Sequence, residues 1–228
     1  MKILIQKFGG TSVANKDRRE QVVQKIIQAK NDGYSPVVVV SAMGRQGDPY
    51  ATDTLLGLVK SIYNNIDKRD IDLLLSCGEI ISCSVLCATL GAKGCEALAL
   101  TGGQAGVITD DRYGSASILK VQGDRIYNML KKGIVPVVAG FQGQTSEGEI
   151  TTIGRGGSDT TAAVLGEALK AEEIQIYTDV DGIMTADPRI VSDAKVIDNM
   201  SYNEVFQFAD QGAKVIHPRA VEFAMRGN

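Results

Sequence analysis

The sequence predicts an α/β fold, a three-layer α/β/α sandwich around a mostly parallel central sheet. Two observations predict it. Short runs rich in Ile and Val recur along the 228 residues without polar alternation, which is typical of parallel strands buried on both faces. Longer segments of helical period separate these runs and complete right-handed βαβ units. With 44% apolar residues the chain can bury one large core, and we interpret residues 1–228 as one domain.

The predicted elements follow one another along the chain. Five runs are interpreted as strands: residues 2–6, 36–41, 97–100, 134–139 and 174–178. Three segments carry the apolar stripe of an amphipathic helix: residues 18–30, 70–90 and 158–169. Residues 142–153 alternate Thr and Ile between glycines and predict a β-hairpin that stands off the sheet. The polar residues 181–193 predict a loop over a site, and Pro218 predicts the start of a last helix.

Charge and composition argue against several classes of protein. The formal net charge is −3 and the basic residues form no stripe, so nucleic acid is not expected as a partner. No apolar run approaches the roughly 20 residues that span a bilayer, and we therefore expect a cytoplasmic protein that binds no membrane. The four cysteines form no Cys-x-x-Cys pair, so we expect buried thiols and neither a zinc site nor a redox motif.

A glycine turn follows the first predicted strand. Lys7 directly follows that strand, and Gly9 and Gly10 come shortly after it. Ligands of open α/β sheets bind at the carboxyl ends of strands, and a glycine turn can direct backbone N–H groups at an anion. A plain strand-to-helix turn is the alternative, but a cation here favours a bound phosphate, because an unpaired lysine would carry a desolvation cost. The turn matches neither the Walker loop nor the Rossmann fingerprint.

A second glycine-rich segment leads from the predicted hairpin into the third helix. Arg155 offers a planar guanidinium suited to a carboxylate, and Gly156 and Gly157 expose backbone donors. Ser158 is predicted to cap the helix, and Asp159 to lie in its first turn. Ordinary helix capping would explain Ser158 and Asp159 but not Arg155. The segment therefore predicts a site for an anionic ligand.

Charged residues recur after the last predicted strand. Asp179 directly follows that strand, Asp187 and Arg189 stand in the predicted loop, and Lys214 lies further along the chain. Turn formation alone can produce this pattern, so turn and function stay equal alternatives for each residue. The only histidine, His217, is predicted to begin the last helix, and a Ser–His–Asp triad is not expected.

Seven motifs, in this order, resemble those of aspartate kinases in the amino-acid kinase family: KFGGTS, VVVVSAMG, GE at positions 78–79, GRGGSDTTA, YTDVDGI, ADPR and KVIHPR. The resemblance spans essentially the whole chain. KFGGTS together with GRGGSD separates it from glutamate 5-kinase, acetylglutamate kinase and uridylate kinase. It implies a carbamate kinase-like sandwich and ATP-dependent phosphorylation of the side-chain carboxylate of L-aspartate, the first step toward lysine, threonine and methionine. A non-catalytic sensor is the alternative, against which Lys7 and Asp159 argue.

The resemblance also implies a role for each motif residue. Lys7 would contact the transferring phosphoryl group, and Asp159 would position Lys7. The nucleotide side would comprise Lys7, Gly9, Gly10, Thr178, Asp179, Met184, Asp187, Arg189, Lys214 and Val215. The aspartate side would comprise Ser41, Thr52, Glu79, Arg155, Gly156, Gly157 and Ser158. Glu79 would hold the α-ammonium and Arg155 the α-carboxylate, while Met184 stands where many relatives have an aromatic residue beside the base.

Cofactors and partners are implied in the same way. The resemblance implies ATP with Mg²⁺, the ion being carried by the phosphates rather than by a cage of protein ligands. Relatives continue past the position of Asn228 into a closing strand and a pair of ACT regulatory domains, which this chain lacks. The resemblance therefore implies feedback by lysine or threonine, and a homo-oligomer, for the full-length protein.

Overall fold

The computed structural model describes residues 1–212 and 215–227. Its strands are β1 (Lys2–Phe8), β2 (Tyr34–Val40), β3 (Ala97–Leu100), β4 (Val107–Thr109), β5 (Ile118–Val121), β6 (Val135–Ala139), β7 (Gln142–Gln144), β8 (Ile150–Thr152) and β9 (Glu173–Tyr177). Its helices are α1 (Gly10–Val13), α2 (Lys16–Asn31), α3 (Thr52–Lys60), α4 (Lys68–Gly91), α5 (Asp124–Lys131), α6 (Gly157–Leu169), α7 (Tyr202–Asp210) and α8 (Pro218–Arg226).

The five predicted strands form the central sheet, in the order β3-β6-β2-β1-β9 with every pair parallel. The inner strands β6, β2 and β1 are almost wholly buried, which explains why their sequences lack polar alternation. β3 and β9 lie at the edges and are partly exposed, so the prediction of burial on both faces was wrong for these two. Because the strands are parallel, their carboxyl ends meet at one edge of the sheet.

Helices cover both faces of this sheet. Val38 and Val40 of β2 point to the side where α2 and α4 supply apolar residues such as Val23 and Leu86. The alternate residues Val37 and Val39 pack on the opposite side with apolar residues of α5 and α6. Each such side chain, when fully buried, stabilises the fold by roughly 1.5–3 kcal/mol. The predicted three-layer α/β/α sandwich is thus confirmed.

A second sheet, which the sequence reasoning did not predict as a sheet, stands beside the first. Its strand order is β5-β4-β7-β8. The predicted hairpin is present as the antiparallel pair β7 and β8, but β7 also pairs in parallel with β4 at Ile108 and Gln144. Most of these strands have only three residues, too few for a period of two to emerge. The hairpin is therefore part of a small sheet that leads into α6.

Helix α4 departs from one expectation. Within the described residues it is long and apolar enough to cross a bilayer, judged by length and composition, so the prediction that no run approaches this length was wrong. In the fold, α4 packs against β3, β6 and β8. Its buried side includes the carboxylates Asp72 and Glu79. The buried apolar residues of α4, among them Leu75, Leu86 and Leu90, therefore belong to the core.

Smaller features agree with the sequence in part. Residues 178–201 form no regular helix or strand, as the predicted loop requires, and contain one bridge between Met184 and Val196. His217 begins α8 as predicted, since its Nδ1 accepts the N–H of Arg219 at 3.3 Å. Of the four cysteines, Cys83 and Cys95 are buried and Cys87 is half-buried, but Cys77 is exposed. The expectation of buried thiols was therefore wrong for Cys77.

Candidate active site

The ammonium of Lys7 and the carboxylate of Asp159 form an ion pair, with Nζ and Oδ1 2.7 Å apart. β1 carries Lys7 to the carboxyl edge of the sheet, beside its register partners Val39 and Ile176. Asp159 lies in the first turn of α6, where the positive end of the helix dipole stabilises a carboxylate. Lys7 is only 8% exposed, so salt screens the pair weakly. The side chains that the resemblance assigns to the phosphoryl group do lie together, and their roles stay predictions.

The turn after β1 differs in one respect from the predicted phosphate-binding turn. The N–H of Gly9 donates to the carbonyl of Tyr177 at 3.1 Å, so the expectation that both glycines direct their N–H groups at an anion was wrong for Gly9. A β-carbon at Gly9 would stand 3.8 Å from Nζ of Lys7, and glycine here leaves space beside the ammonium. A β-carbon at Gly10 would come within 2.5 Å of the carbonyl oxygen of Ala42. Glycine at this position lets α1 pack against the loop after β2.

Glu79 is a buried carboxylate with unused hydrogen-bonding capacity. It is 2% exposed; its Oε1 accepts the N–H of Ala42 at 3.1 Å, whereas Oε2 has no partner among the described residues. Burial raises the pKa of Glu79 to about 8, against the opposing effect of the hydrogen bond from Ala42. Gly78 permits this packing, because a β-carbon there would lie 2.8 Å from the carbonyl oxygen of Tyr50. A cation beside Oε2 would favour the ionised carboxylate again, so the position suits an ammonium group.

Arg155 stands on a loop whose path requires glycine. Gly154 and Gly156 have φ angles of 80° and 67°, in the left-handed region that residues with a β-carbon rarely adopt. A β-carbon at Gly156 would also lie 2.2 Å from Cβ of His217. Arg155 is exposed and forms no ion pair within residues 1–212 and 215–227. Its guanidinium is therefore available to a carboxylate ligand.

Ser158 does not have the capping role predicted for it. Helix α6 begins at Gly157, and its N-cap is Gly156, which has no side chain that could accept a hydrogen bond at this end. Ser158 lies inside the first turn, 9% exposed, and packs closely on Gly140. The predicted cap was wrong because the left-handed Gly156 lets the helix begin earlier than the capping pattern suggested.

These side chains line one cleft of about 230 Å³ at the carboxyl edge of the sheet. Its lining comprises Lys7, Ser41, Thr52, Glu79, Phe141, Gly154, Arg155, Gly156, Gly157, Ser158 and Asp159. Every residue that the resemblance assigns to the aspartate side is present. An adjoining cavity of about 430 Å³ shares Ser41 and Thr52 with this cleft and is lined also by Gly10 and Arg45.

Of the residues assigned to the nucleotide side, Lys7 lines this cleft and Gly10 lines the adjoining cavity, but most of the others lie elsewhere. Thr178, Asp179, Met184, Asp187, Arg189 and Val215 do not line the cleft, and Lys214 lies outside the described residues. Asp179 forms an ion pair with Arg45. Asp187 pairs with Arg189 at 2.7 Å, and the guanidinium lowers the pKa of Asp187 to about 2. The structure thus brings the aspartate-side residues together but pairs the charged loop residues with one another and with Arg45.

Two residues of the cleft were not predicted. Phe141 follows β6 at the same carboxyl edge and has a φ of 69°; the rule that ligands bind beyond the carboxyl ends of parallel strands could have identified it. Gly154 stands next to Arg155 in the glycine-rich segment, and the need for a left-handed turn before Arg155 was its only signal.

Comparison with known proteins agrees with this geometry. Aspartokinase 1 of Bacillus subtilis (strain 168) is 54% identical over 99% of this chain and 56% of its own length. The crystal structure of aspartate kinase from Synechocystis superposes with a TM-score of 0.83 at 45% identity, over 97% of this chain and 36% of that one. The structure of E. coli aspartokinase III in complex with aspartate and ADP superposes with a TM-score of 0.85 at 29% identity, over 100% of this chain and 60% of that one.

Each of these matches covers almost all of this chain but only part of the relative's own length. The chain spans about half the length of the curated relatives it matches. By contrast, the sequence model of the amino acid kinase family matches residues 2–228, almost the whole chain. The three-layer sandwich, the cleft at the carboxyl edge of its sheet and this match lead to one conclusion: the chain belongs to the amino acid kinase family.

Proposed function

We propose that this chain is the catalytic part of an aspartate kinase, which transfers the γ-phosphoryl group of ATP to the side-chain carboxylate of L-aspartate and forms 4-phospho-L-aspartate. The observation that carries the proposal is the charge pattern of one cleft. The Lys7–Asp159 pair meets there the guanidinium of Arg155 and an oxygen of Glu79 that has no partner in the part of the chain that the structure describes. Several similar proteins bear the name aspartokinase, and E. coli aspartokinase III was solved with aspartate and ADP.

The cleft matches the charges of L-aspartate. The α-ammonium pairs with Oε2 of Glu79, and the α-carboxylate with the guanidinium of Arg155. These two contacts orient the side-chain carboxylate toward Lys7. Ser41, Thr52 and Ser158 offer hydroxyl groups to the remaining polar atoms of the ligand, and Gly156 offers its backbone N–H. The N–H of Gly157 donates to the carbonyl of Gly154 at 3.0 Å, so the expectation that both glycines expose backbone donors was wrong for Gly157.

The chemistry requires positive charge more than a base. A side-chain carboxylate with a pKa near ~4 is already ionised at neutral pH, so the acceptor has no proton to lose. What opposes the reaction is repulsion between this anion and the polyphosphate, which cations and oriented donors overcome. Lys7 supplies the charge at the transferring group, Asp159 holds its ammonium in place, and the positive end of α6 adds to the field.

The nucleotide-side assignments form part of the same proposal. We infer that Gly9, Gly10 and the loop residues Thr178, Asp179, Met184, Asp187, Arg189 and Val215, together with Lys214, bind ATP. The pairs Arg45–Asp179 and Asp187–Arg189 are largely exposed. Exposed ion pairs stabilise a structure little, so the exchange of these partners for a nucleotide costs little.

The residues fit a magnesium ion that arrives with ATP. In the part of the chain that the structure describes, no three His, Cys, Asp or Glu residues stand close enough to hold a metal. Mg²⁺ commonly binds through substrate phosphates, takes one or two carboxylates and keeps several waters. Bound there, it would neutralise phosphate charge beside Lys7.

Further properties follow from the same identification. We propose that residues 1–228 form one catalytic domain, and that the full-length protein is a cytoplasmic homo-oligomer with feedback by lysine or threonine. The length of the relatives supports a larger protein, because this chain covers only 53–56% of the first three. Sedimentation of the full-length protein, and inhibition by each amino acid separately, test these properties.

A hydroxylamine trap tests the reaction. The protein is incubated with ATP, Mg²⁺, hydroxylamine and one acceptor at a time: L-aspartate, D-aspartate, L-glutamate, N-acetyl-L-glutamate or L-asparagine. Acyl phosphates react with hydroxylamine to give hydroxamates, and we expect a hydroxamate with L-aspartate alone. Product from another acceptor would refute the assignment of the substrate. A folded protein of natural length that yields no hydroxamate would refute catalysis and favour the sensor. Inactivity of residues 1–228 alone would mean that this segment is too short to work.

A further inference from the structure

Helix α4 carries two buried carboxylates whose surroundings differ. Asp72 and Glu79 are 0% and 2% exposed and stand about two turns apart, so they face the same side of the helix. Glu79 has an oxygen without a partner in the described residues, whereas both oxygens of Asp72 accept hydrogen bonds. Glu79 is thus open to a ligand, and Asp72 is engaged by the protein itself.

Asp72 binds the end of strand β8. Its Oδ2 accepts the N–H of Thr152 at 2.7 Å and the N–H of Gly114 at 2.9 Å, and its Oδ1 accepts the hydroxyl of Thr152 at 2.8 Å. Hydrogen bonds to an ionised acceptor are stronger than neutral ones, and such bonds offset the desolvation of a buried carboxylate. Two of the three bonds go to Thr152, the last residue of β8.

A second charged side chain holds the next residue. The guanidinium of Arg219, at the start of α8, donates from Nη1 to the carbonyl of Ile153 at 2.9 Å and from Nη2 to the carbonyl of Ala116 at 3.2 Å. Thr152 and Ile153 are therefore fixed from two different helices. The loop that carries Arg155 leaves the small sheet directly after them.

The backbone alone sets where Arg155 stands. Its side chain forms no ion pair within residues 1–212 and 215–227. The neighbouring Gly154 and Gly156 have no side chains that could fix the loop. A shift of Thr152 would therefore move the guanidinium relative to Glu79, which lies on the rigid helix α4.

We propose that Asp72 is a positioning residue for Arg155, with Arg219 as its counterpart on α8. Asp72 does not line the cleft and acts through Thr152. Since α4 carries both Asp72 and Glu79, one helix sets the distance between the two groups that bind the ends of the amino acid. The inference rests on the proposed function for the nature of the ligand, while the positioning itself concerns only the protein.

Three variants separate positioning from charge. Asp72→Ala leaves two N–H groups and one hydroxyl without their acceptor. Asp72→Asn keeps all three contacts, because its amide oxygen can accept both N–H groups and its NH₂ can donate to a rotated Thr152 hydroxyl. Asp70→Ala is the matched control: Asp70 lies on the same helix, is exposed and pairs with Arg69.

Kinetics of the natural-length protein give the first measurement. We expect Asp72→Ala to raise KM for L-aspartate roughly 10- to 100-fold, since a misplacement of about 1 Å is enough for an effect of that order. KM for ATP should change less than about twofold, because Lys7 and Asp159 keep their places. Asp72→Asn and Asp70→Ala should behave like the wild type. Equal rises in both KM values would indicate general loosening and would overturn the proposal.

Hydrogen exchange gives a measurement that needs no activity. In Asp72→Ala, amides of residues 111–117 and 150–156 should exchange about tenfold faster or more, while those of α6 and the central sheet stay protected. If this variant does not fold, Thr152→Val removes the hydroxyl contact alone, and Thr152→Ser retains it. Unchanged exchange at residues 150–156 in Asp72→Ala, or in Thr152→Val where Asp72→Ala does not fold, would refute positioning. Inactivity of the wild type toward L-aspartate would refute the proposed function and leave this result standing.

Discussion

Replacing Glu79 with glutamine should abolish a proton release that we expect when L-aspartate binds. The pKa of Glu79 is about 8, so about nine tenths of the carboxyl groups carry a proton at pH 7. An ammonium group placed against Oε2 favours the ionised form, and the proton then leaves. We therefore expect about 0.9 proton to be released per aspartate bound at pH 7 and about 0.1 at pH 9.

Calorimetric titration in two buffers with different ionisation enthalpies measures this number. The difference between the two observed heats, divided by the difference between the buffer enthalpies, gives the protons released. The Glu79→Gln variant keeps the shape of the side chain but has no proton to lose in this range, so its heat should not depend on the buffer. Glu147→Gln, at an exposed carboxylate, is the matched control and should behave like the wild type. Equal release from wild type and Glu79→Gln would refute the assignment of the ammonium to Glu79.

Three further predictions follow from the same geometry. Lys7→Ala should lower kcat about 100-fold or more, the size expected for the loss of one charge contact in the transition state. Lys2→Ala, which removes an exposed lysine of the same strand, should leave kcat unchanged. Comparable kcat values for the two variants would contradict our location of the phosphoryl group. The carboxyl of Glu79 keeps its proton up to a higher pH in the folded chain than in the unfolded one, with a pKa of about 8 rather than 4.5. The free energy of unfolding should therefore fall by up to about 1.4 kcal/mol per pH unit as the pH rises from about 5 to 8. Urea titrations of wild type and Glu79→Gln at several pH values measure this fall. The same dependence on pH in both proteins would exclude the raised pKa. Gly148 and Gly156 both have positive φ, 86° and 67°, but only at Gly156 would a methyl group meet His217, at 2.2 Å. Gly148→Ala should therefore lower the free energy of unfolding by about 1 kcal/mol, and Gly156→Ala should lower it clearly more. Urea unfolding measures both losses, and equal losses would contradict a clash with His217.

The parts of the fold that the sequence predicted are those in which many neighbouring residues carry the same signal. The Val-rich run of β2 and the apolar stripe of α2 each extend over several residues, and both elements are present. Strands β4 and β5 have three and four residues, and their pairing depends on contacts distant in sequence. Helix α3 was missed as well; it has no buried residue, so no core-facing stripe is required of it.

The candidate site likewise contains some residues that the sequence could identify and others that it could not. Lys7, Arg155 and Asp159 stand in short motifs whose chemistry can be read locally. Asp72 could not be recognised in this way, because its partner Thr152 lies 80 residues away. Helix propensity treats Asp72 as one more polar residue near the start of α4. The use of the Gly9 N–H was equally hidden, since its acceptor belongs to the edge strand β9.

The uninterrupted course of α4 from Asp72 to Glu79 limits how this protein can vary. One residue inserted or deleted between them would turn the two carboxylates relative to each other by about 100° and change their separation by about 1.5 Å. Either the bound amino acid would then lose its contact with Glu79, or the small sheet would lose its contact with Asp72. Replacements on the outer face, at Leu73 or Cys77, change neither distance nor direction. Natural variation should therefore alter residue types freely on this outer face but preserve the number of residues between the two carboxylates.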